Sequence, residues 1–143
     1  MLPFPLVYSS GYDLNLGEHV FPSVKYRLIH DRLLEEGIAG IDDFMEPDPM
    51  TDADAALVHT PEWIDKLLHG KISLNEVLQL EIPYSSKMIK AAWLSAGGSI
   101  QAARDALKYK FGFNVGGGFH HAFPDHGEGF CAVNDIAIAV RRL

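Results

Sequence analysis

Phe111-Gly112-Phe113-Asn114-Val115-Gly116-Gly117-Gly118-Phe119-His120-His121-Ala122 is the stretch whose reading decides the fold. Its first part is short and apolar, as a buried strand is, and it runs straight into three glycines. Such a run tolerates positive φ and admits the close approach of a ligand or a second backbone, which a Cβ obstructs. Two imidazoles follow at consecutive positions. Neighbours on a regular strand point to opposite faces, so two histidines serving one site require the irregular backbone that the glycines permit. Just beyond the carboxyl end of a core strand is also where parallel sheets place their ligand sites. A phosphate-cradling loop does not fit, because neither G-x-G-x-x-G nor G-x-x-x-x-G-K-[ST] is present.

Working outward, Ser85 or Ser86 opens a long helix through about Tyr109, with Met88, Ala92, Ile100, Ala103 and Leu107 among its apolar positions. Gly97-Gly98 in its middle costs roughly 1 kcal/mol of helix propensity per glycine relative to Ala, which points to close backbone packing or a kink. Downstream, Val133, Ile136, Val140 and Leu143 mark the inner stripe of a final helix. Upstream, Leu6-Val7-Tyr8 reads as a strand and Val24 to Glu36 as a helix, with Ser23 as cap, Tyr26, Ile29 and Leu33 facing inward and Gly37 as stop. Asp42 to Asp54 is a loop by composition, and Ala56-Leu57-Val58-His59 is a candidate second strand. Pro61 opens a short helix that Gly70 ends, and Ser73 with Glu76 forms a reciprocal capping pattern. This order of elements predicts an α/β fold with a parallel sheet.

Bulk composition narrows the function classes. A chain of 143 residues, 48% of them apolar, builds one packed core. The net charge is −7 with no run of Lys or Arg, which leaves no electrostatic footprint for direct nucleic-acid binding or for a membrane surface. One cysteine, Cys131, allows no intrachain disulfide and suits a reducing, cytoplasmic setting. No apolar run approaches the ~20 residues that span a bilayer.

His120 and His121 are the candidates for acid–base work, since imidazole titrates near neutral pH without a large shift. The competing reading is a pair of ordinary loop histidines. A metal cluster built from His120, His121, Asp125, His126 and Glu128 uses competent ligand types at a spacing that matches no common zinc pattern. Cys131 reads either as a nucleophile or, more often in such a place, as a small packed residue.

Phe113 to His121, together with Gly127-Glu128-Gly129-Phe130-Cys131 and Asn134-Asp135-Ile136-Ala137, resembles the zinc-dependent histone deacetylase family of the arginase/deacetylase superfamily, nearest its class IV branch and bacterial histone deacetylase-like proteins. Tyr8-Ser9, the run His19 to Leu34 and Val58-His59-Thr60-Pro61-Glu62-Trp63 resemble, in order, the family's first strand, its first helix and its H-x-x-x-aromatic segment. The resemblance implies a three-layer arginase/deacetylase-like fold and a Zn2+ hydrolase that removes acetyl or other acyl groups from lysine side chains. By that resemblance, His120 and His121 flank a zinc-bound water as base and acid. Phe130 lines the tunnel for the aliphatic lysine stem, and the Gly129 carbonyl accepts from the substrate amide. The implied partner is an acyl-lysine protein or peptide, or a small acylated amine as in acetylpolyamine amidohydrolases. Lys25 stands where many members carry an Arg lining an internal cavity.

The family's metal ligands, an Asp-x-His pair and a later Asp, have no counterpart here, since neither D-x-H nor D-x-D-x-H occurs. The final helix ends on Arg141-Arg142-Leu143 without a cap, and two or three strands leave a parallel sheet with open edges. The expectation is therefore that residues 1–143 are the N-terminal part of a single deacetylase-like domain, cut before the metal-ligand segment and inactive alone. A rival expectation is a non-catalytic interaction module that pairs its exposed sheet with a partner.

Overall fold

A computed structural model describes residues 1–143. Its sheet consists of β1 (Leu6–Val7), β2 (Phe44–Met45) and β3 (Phe113–Asn114), ordered β2-β1-β3. Both pairings are parallel, with Leu6 opposite Phe44 and Phe113, and Val7 opposite Met45 and Asn114. Between β1 and β2 runs α1 (Lys25–Glu35). From β2 the chain passes through α2 (Asp52–Ala55), α3 (Pro61–His69), α4 (Leu74–Leu80) and the long α5 (Ser86–Tyr109) before β3, and α6 (Asp135–Arg142) closes the order. The expected α/β class with a parallel sheet is the one observed.

Local chemistry accounts for the helix boundaries. Thr60 caps α3 by accepting from the Trp63 amide, Pro61 occupies its first turn, and Gly70 ends it at φ +67°. Ser73 and Glu76 form the expected reciprocal cap on α4. Lys66 donates to the same Glu76 carboxylate, whose pKa falls to about 2 because of that partner first and the Ser73 bonds second. Ser85 caps α5 through the Met88 amide.

Five expectations need correction. Ala56 to His59 is not a strand. Thr51 and Asp54 form a capping box that starts α2, and the amides of Ala56, Leu57, Val58 and His59 bond back to carbonyls of Asp52, Asp54 and Ala55, which winds the segment into turns. The acidic loop instead contributes β2, whose two residues are too few to show any periodicity. Ser23 does not cap α1, because its hydroxyl donates to Asp13, and Ile29 is exposed while Tyr26 is buried. The inner face of α6 is Asp135, Ile138 and Ala139, whereas Ile136, Val140 and Leu143 line an open groove with Ala102, Ala103 and Gly112 of the α5–β3 region.

α5 packs against α6, β1 and β3, and its central glycines explain how. A Cβ on Gly97 would collide with the Asp48 carbonyl and come within 2.8 Å of the Met50 amide, itself bonded to the Trp93 carbonyl at 3.0 Å. Gly98 faces the buried Tyr12 hydroxyl and the Asn114 amide in the same way. The pair thus marks close backbone approach in a continuous helix. Ala at position 97 should gain about 1 kcal/mol of helix propensity and lose more by forcing the 48–50 segment away. The expected net result of Gly97→Ala is destabilisation by about 1–3 kcal/mol, read as a lower urea midpoint.

Candidate active site

The turn after β3 is built by three glycines, each required for a different reason. Gly116 lies against the Tyr12 ring, leaving no room for a Cβ. A Cβ on Gly117 would stand 2.8 Å from the Asn114 Nδ2 and 3.0 Å from the Asp135 carboxylate. Gly118 has open space around it but adopts φ +102°, which side-chain-bearing residues avoid. The chain consequently leaves β3 through these glycines and carries His120 and His121 just past the carboxyl end of that strand.

That turn is held from behind by a buried carboxylate. Asp135, fully buried, accepts from the Gly118 amide at 2.9 Å, the Phe119 amide at 2.7 Å and the Ser99 hydroxyl. Burial pushes its pKa above the usual carboxylate range, against the downward pull of these donors. Asn134, one residue earlier, caps α6 through the Ala137 amide and donates to the carbonyls of His120 (3.1 Å) and Ala122 (3.2 Å). The Asn134-Asp135 pair has no role in the expectations drawn from the sequence. Its signal was present, since Asn ahead of a helical apolar pattern is a cap.

His120 and His121 are both exposed, with ring centroids 4.2 Å apart. The His120 Nδ1 lies 2.9 Å from the Gly118 carbonyl. A carbonyl only accepts, so Nδ1 carries the proton and Nε2 keeps a lone pair in the neutral ring. Gly129 lies against the His121 ring, where a Cβ would sit 3.2 Å from Cγ. Phe130 adopts φ +69°, an outlying backbone state for a bulky residue. It is over-determined there by an amide bond to the Leu80 carbonyl at 2.9 Å and by ring contacts with Phe21 at 5.6 Å and His19 at 5.7 Å.

All four residues singled out in the sequence line one cavity of about 440 Å³. Its other walls include Phe21, Lys25, Tyr26 and Phe119, which sequence reading did not bring together because three of them lie about ninety positions upstream of the turn. The Lys25 ammonium rests 4.0 Å over the Phe21 ring. Cys131 is packed, its thiol 3.4 Å from the Gly129 carbonyl and pushed up in pKa chiefly by burial, so the nucleophile reading loses its thiolate. His126 is occupied by Asp125 at 2.7 Å and by Glu128 at 3.5 Å. No three His, Cys, Asp or Glu side chains converge as a metal site, so residues 1–143 do not by themselves fit zinc.

The histone deacetylase domain family matches residues 19–143. An uncharacterized protein of Picosynechococcus sp. is 36% identical over 141 residues, covering 98% of this chain and 47% of that protein. Histone deacetylase 2 of Arabidopsis thaliana is 28% identical, over 94% of this chain and 38% of its own length, and the acetoin utilization protein AcuC of Bacillus subtilis is 29% identical, over 96% and 38%. The chain thus spans less than half the length of these relatives. Among solved structures, the HDA15 HD domain superposes with a TM-score of 0.75 at 21% identity, over 95% of this chain and 41% of that one. A histone deacetylase homolog from Aquifex aeolicus gives 0.74 at 23%, over 96% and 40%. These structural likenesses concern the fold.

Asp135→Asn tests the grip on the turn. The amide nitrogen of Asn must face either the Gly118 or the Phe119 amide, leaving one buried donor unpaired. The expected cost is about 1–3 kcal/mol in chemical denaturation, with a change in the ring signals of His120 and His121 by NMR.

Proposed function

The chain belongs to the histone deacetylase domain family, and on that premise we propose that the protein containing it hydrolyses the amide of an acylated amine, with acyl-lysine side chains as the substrate class. The observation that carries this reading is the single cavity that collects both imidazoles, the Phe130 ring and the Gly129 backbone. An apolar lysine stem needs an apolar slot, and its buried amide N–H needs an acceptor. Phe130 offers the first and the Gly129 carbonyl the second. His120, with Nδ1 committed to the Gly118 carbonyl, is free to take a proton at Nε2. The adjacent His121 ring provides a second proton carrier within the same cavity, as amide hydrolysis requires for attack and for departure of the amine.

Within the same proposal, residues 1–143 are the N-terminal part of one such domain, zinc is its metal, and the ligands come from beyond Leu143. A cytoplasmic setting is proposed with it. No helix here is long and apolar enough to cross a membrane.

The test uses the longer protein and an acyl-lysine peptide. His120→Ala and His121→Ala are each expected to lower kcat by at least ~10²-fold, the usual weight of acid–base catalysis. Unchanged rates in both variants would sink the assignment. Phe130→Ala is expected to act mainly on KM.

A further inference from the structure

We infer that His59 is a positioning residue, an imidazole fixed in one tautomer that ties Phe123, just past the His120–His121 pair, to Asn134, whose side chain holds the main chain of that pair. It is the His of the H-x-x-x-aromatic segment, following the turns after α2 and preceding the Thr60 cap of α3, and that pattern assigns it no partner. It is 3% exposed. Its Nδ1 lies 3.0 Å from the Phe123 carbonyl, which only accepts, so Nδ1 bears the hydrogen. Its Nε2 lies 3.0 Å from the Asn134 amide, which only donates, so Nε2 must be bare. Together the two bonds admit only the neutral Nδ1–H ring, because a proton on Nε2 would point at the Asn134 N–H.

Both partners connect to the site. Phe123 stands just past the His pair, and Asn134, whose backbone N–H meets His59, donates from its side-chain Nδ2 to the His120 and Ala122 carbonyls. One further bond runs in parallel, from the Thr60 amide to the Pro124 carbonyl at 2.9 Å. The path from the buried ring to the His120 main chain is therefore two hydrogen bonds long. The charged groups on the neighbouring elements are engaged elsewhere. On α2, Asp54 pairs with Arg142 of α6 and Asp52 accepts from Trp93. On α3, Glu62 pairs with Lys66. In the loop, Asp125 and Glu128 face His126, and Asp135 holds the glycine turn.

No charge compensates a protonated ring, and burial lowers its pKa from the ordinary histidine value, with the Phe123 and Pro124 carbonyls pulling partly back. Because the unfolded chain then binds the proton more readily, this contribution to stability is complete above about pH 6.5. It is lost as pH falls through the depressed folded value.

The decisive measurement is ring nitrogen NMR of the full chain labelled in histidine, with the His59 signals assigned through His59→Gln. The expected pattern is a protonated Nδ1 and a bare Nε2 at about pH 8. On acidification, His120 and His121 signals should shift in the same step as His59 protonation, and that step should vanish in His59→Gln. An Nε2–H tautomer, or protonation of His59 without any response at the His pair, would overturn the inference. The consequence for turnover rests on the deacylase reading, whereas the tautomer does not. If that reading holds, His59→Phe should lower kcat on the order of 10²-fold with little change in KM, and His59→Gln, which keeps an acceptor for Asn134, should recover part of it. A kcat equal to wild type in His59→Phe would count against the positioning role even if the tautomer were as expected.

Discussion

Two amides aimed at one buried carboxylate set the geometry on which this site depends. Asp135 accepts from Gly118 and Phe119 at 2.9 and 2.7 Å while its other contact, the Ser99 hydroxyl, reaches it from the middle of α5. A carboxylate taken wholly out of water is costly unless several donors meet it. Here the donors are the backbone of the turn itself, together with the amino end of α6, where the helix field favours negative charge. The energy that makes burial of Asp135 tolerable is thus the same energy that immobilises the two residues before His120. Stability and site geometry cannot be separated at this point.

This arrangement needs α5, the turn and α6 to approach within backbone contact, and small residues make that possible. Gly97 and Gly98 let the 48–50 segment and Tyr12 lie on the helix, and Gly116 and Gly117 let the turn lie on Tyr12 and Ser99. Gly97 and Gly98 each weaken α5 by about 1 kcal/mol relative to Ala, a cost that is offset by the contacts they admit. On the other side of the loop, α3 and α4 complete the support. Trp63 donates to the Ala132 carbonyl at 2.9 Å, and the Leu80 carbonyl holds Phe130 in its unusual backbone state. The His pair is consequently exposed while the main chain on either side of it is held, by Asp135 at Gly118 and Phe119 and by Asn134 at His120 and Ala122.

Much of this was legible in the residues. A strand ending in glycines, two adjacent imidazoles and a following Gly-Phe-Cys carry their meaning locally, and the four residues read from them line a single cavity. The capping box at Ser73 and Glu76 and the helix opened by Pro61 were readable for the same reason, since their partners lie within four positions. Failures came where periodicity was asked to name a neighbour. The stripe Ile136, Val140 and Leu143 is regular, yet the face that meets α5 is Asp135, Ile138 and Ala139, because on that side the Asp135 carboxylate meets its three donors, the Gly118 and Phe119 amides and the Ser99 hydroxyl. Ala56 to His59 has strand composition but sits behind a capping box that commits it to turns.

The sequence by itself determined that the chain is an α/β protein with a glycine turn presenting a histidine pair, because those features depend on spacing and backbone freedom within a dozen residues. Only the tertiary structure decided what surrounds that pair. Phe21, Lys25 and Tyr26 reach the cavity from the segment around the start of α1, and His59 reaches the loop from between α2 and α3, in a tautomer dictated by one carbonyl and one amide. Those contacts join residues separated by 64 and 75 positions, and no local pattern encodes which distant polar group will meet a buried nitrogen. The requirement that every buried donor and acceptor be paired is satisfied only once the chain has folded.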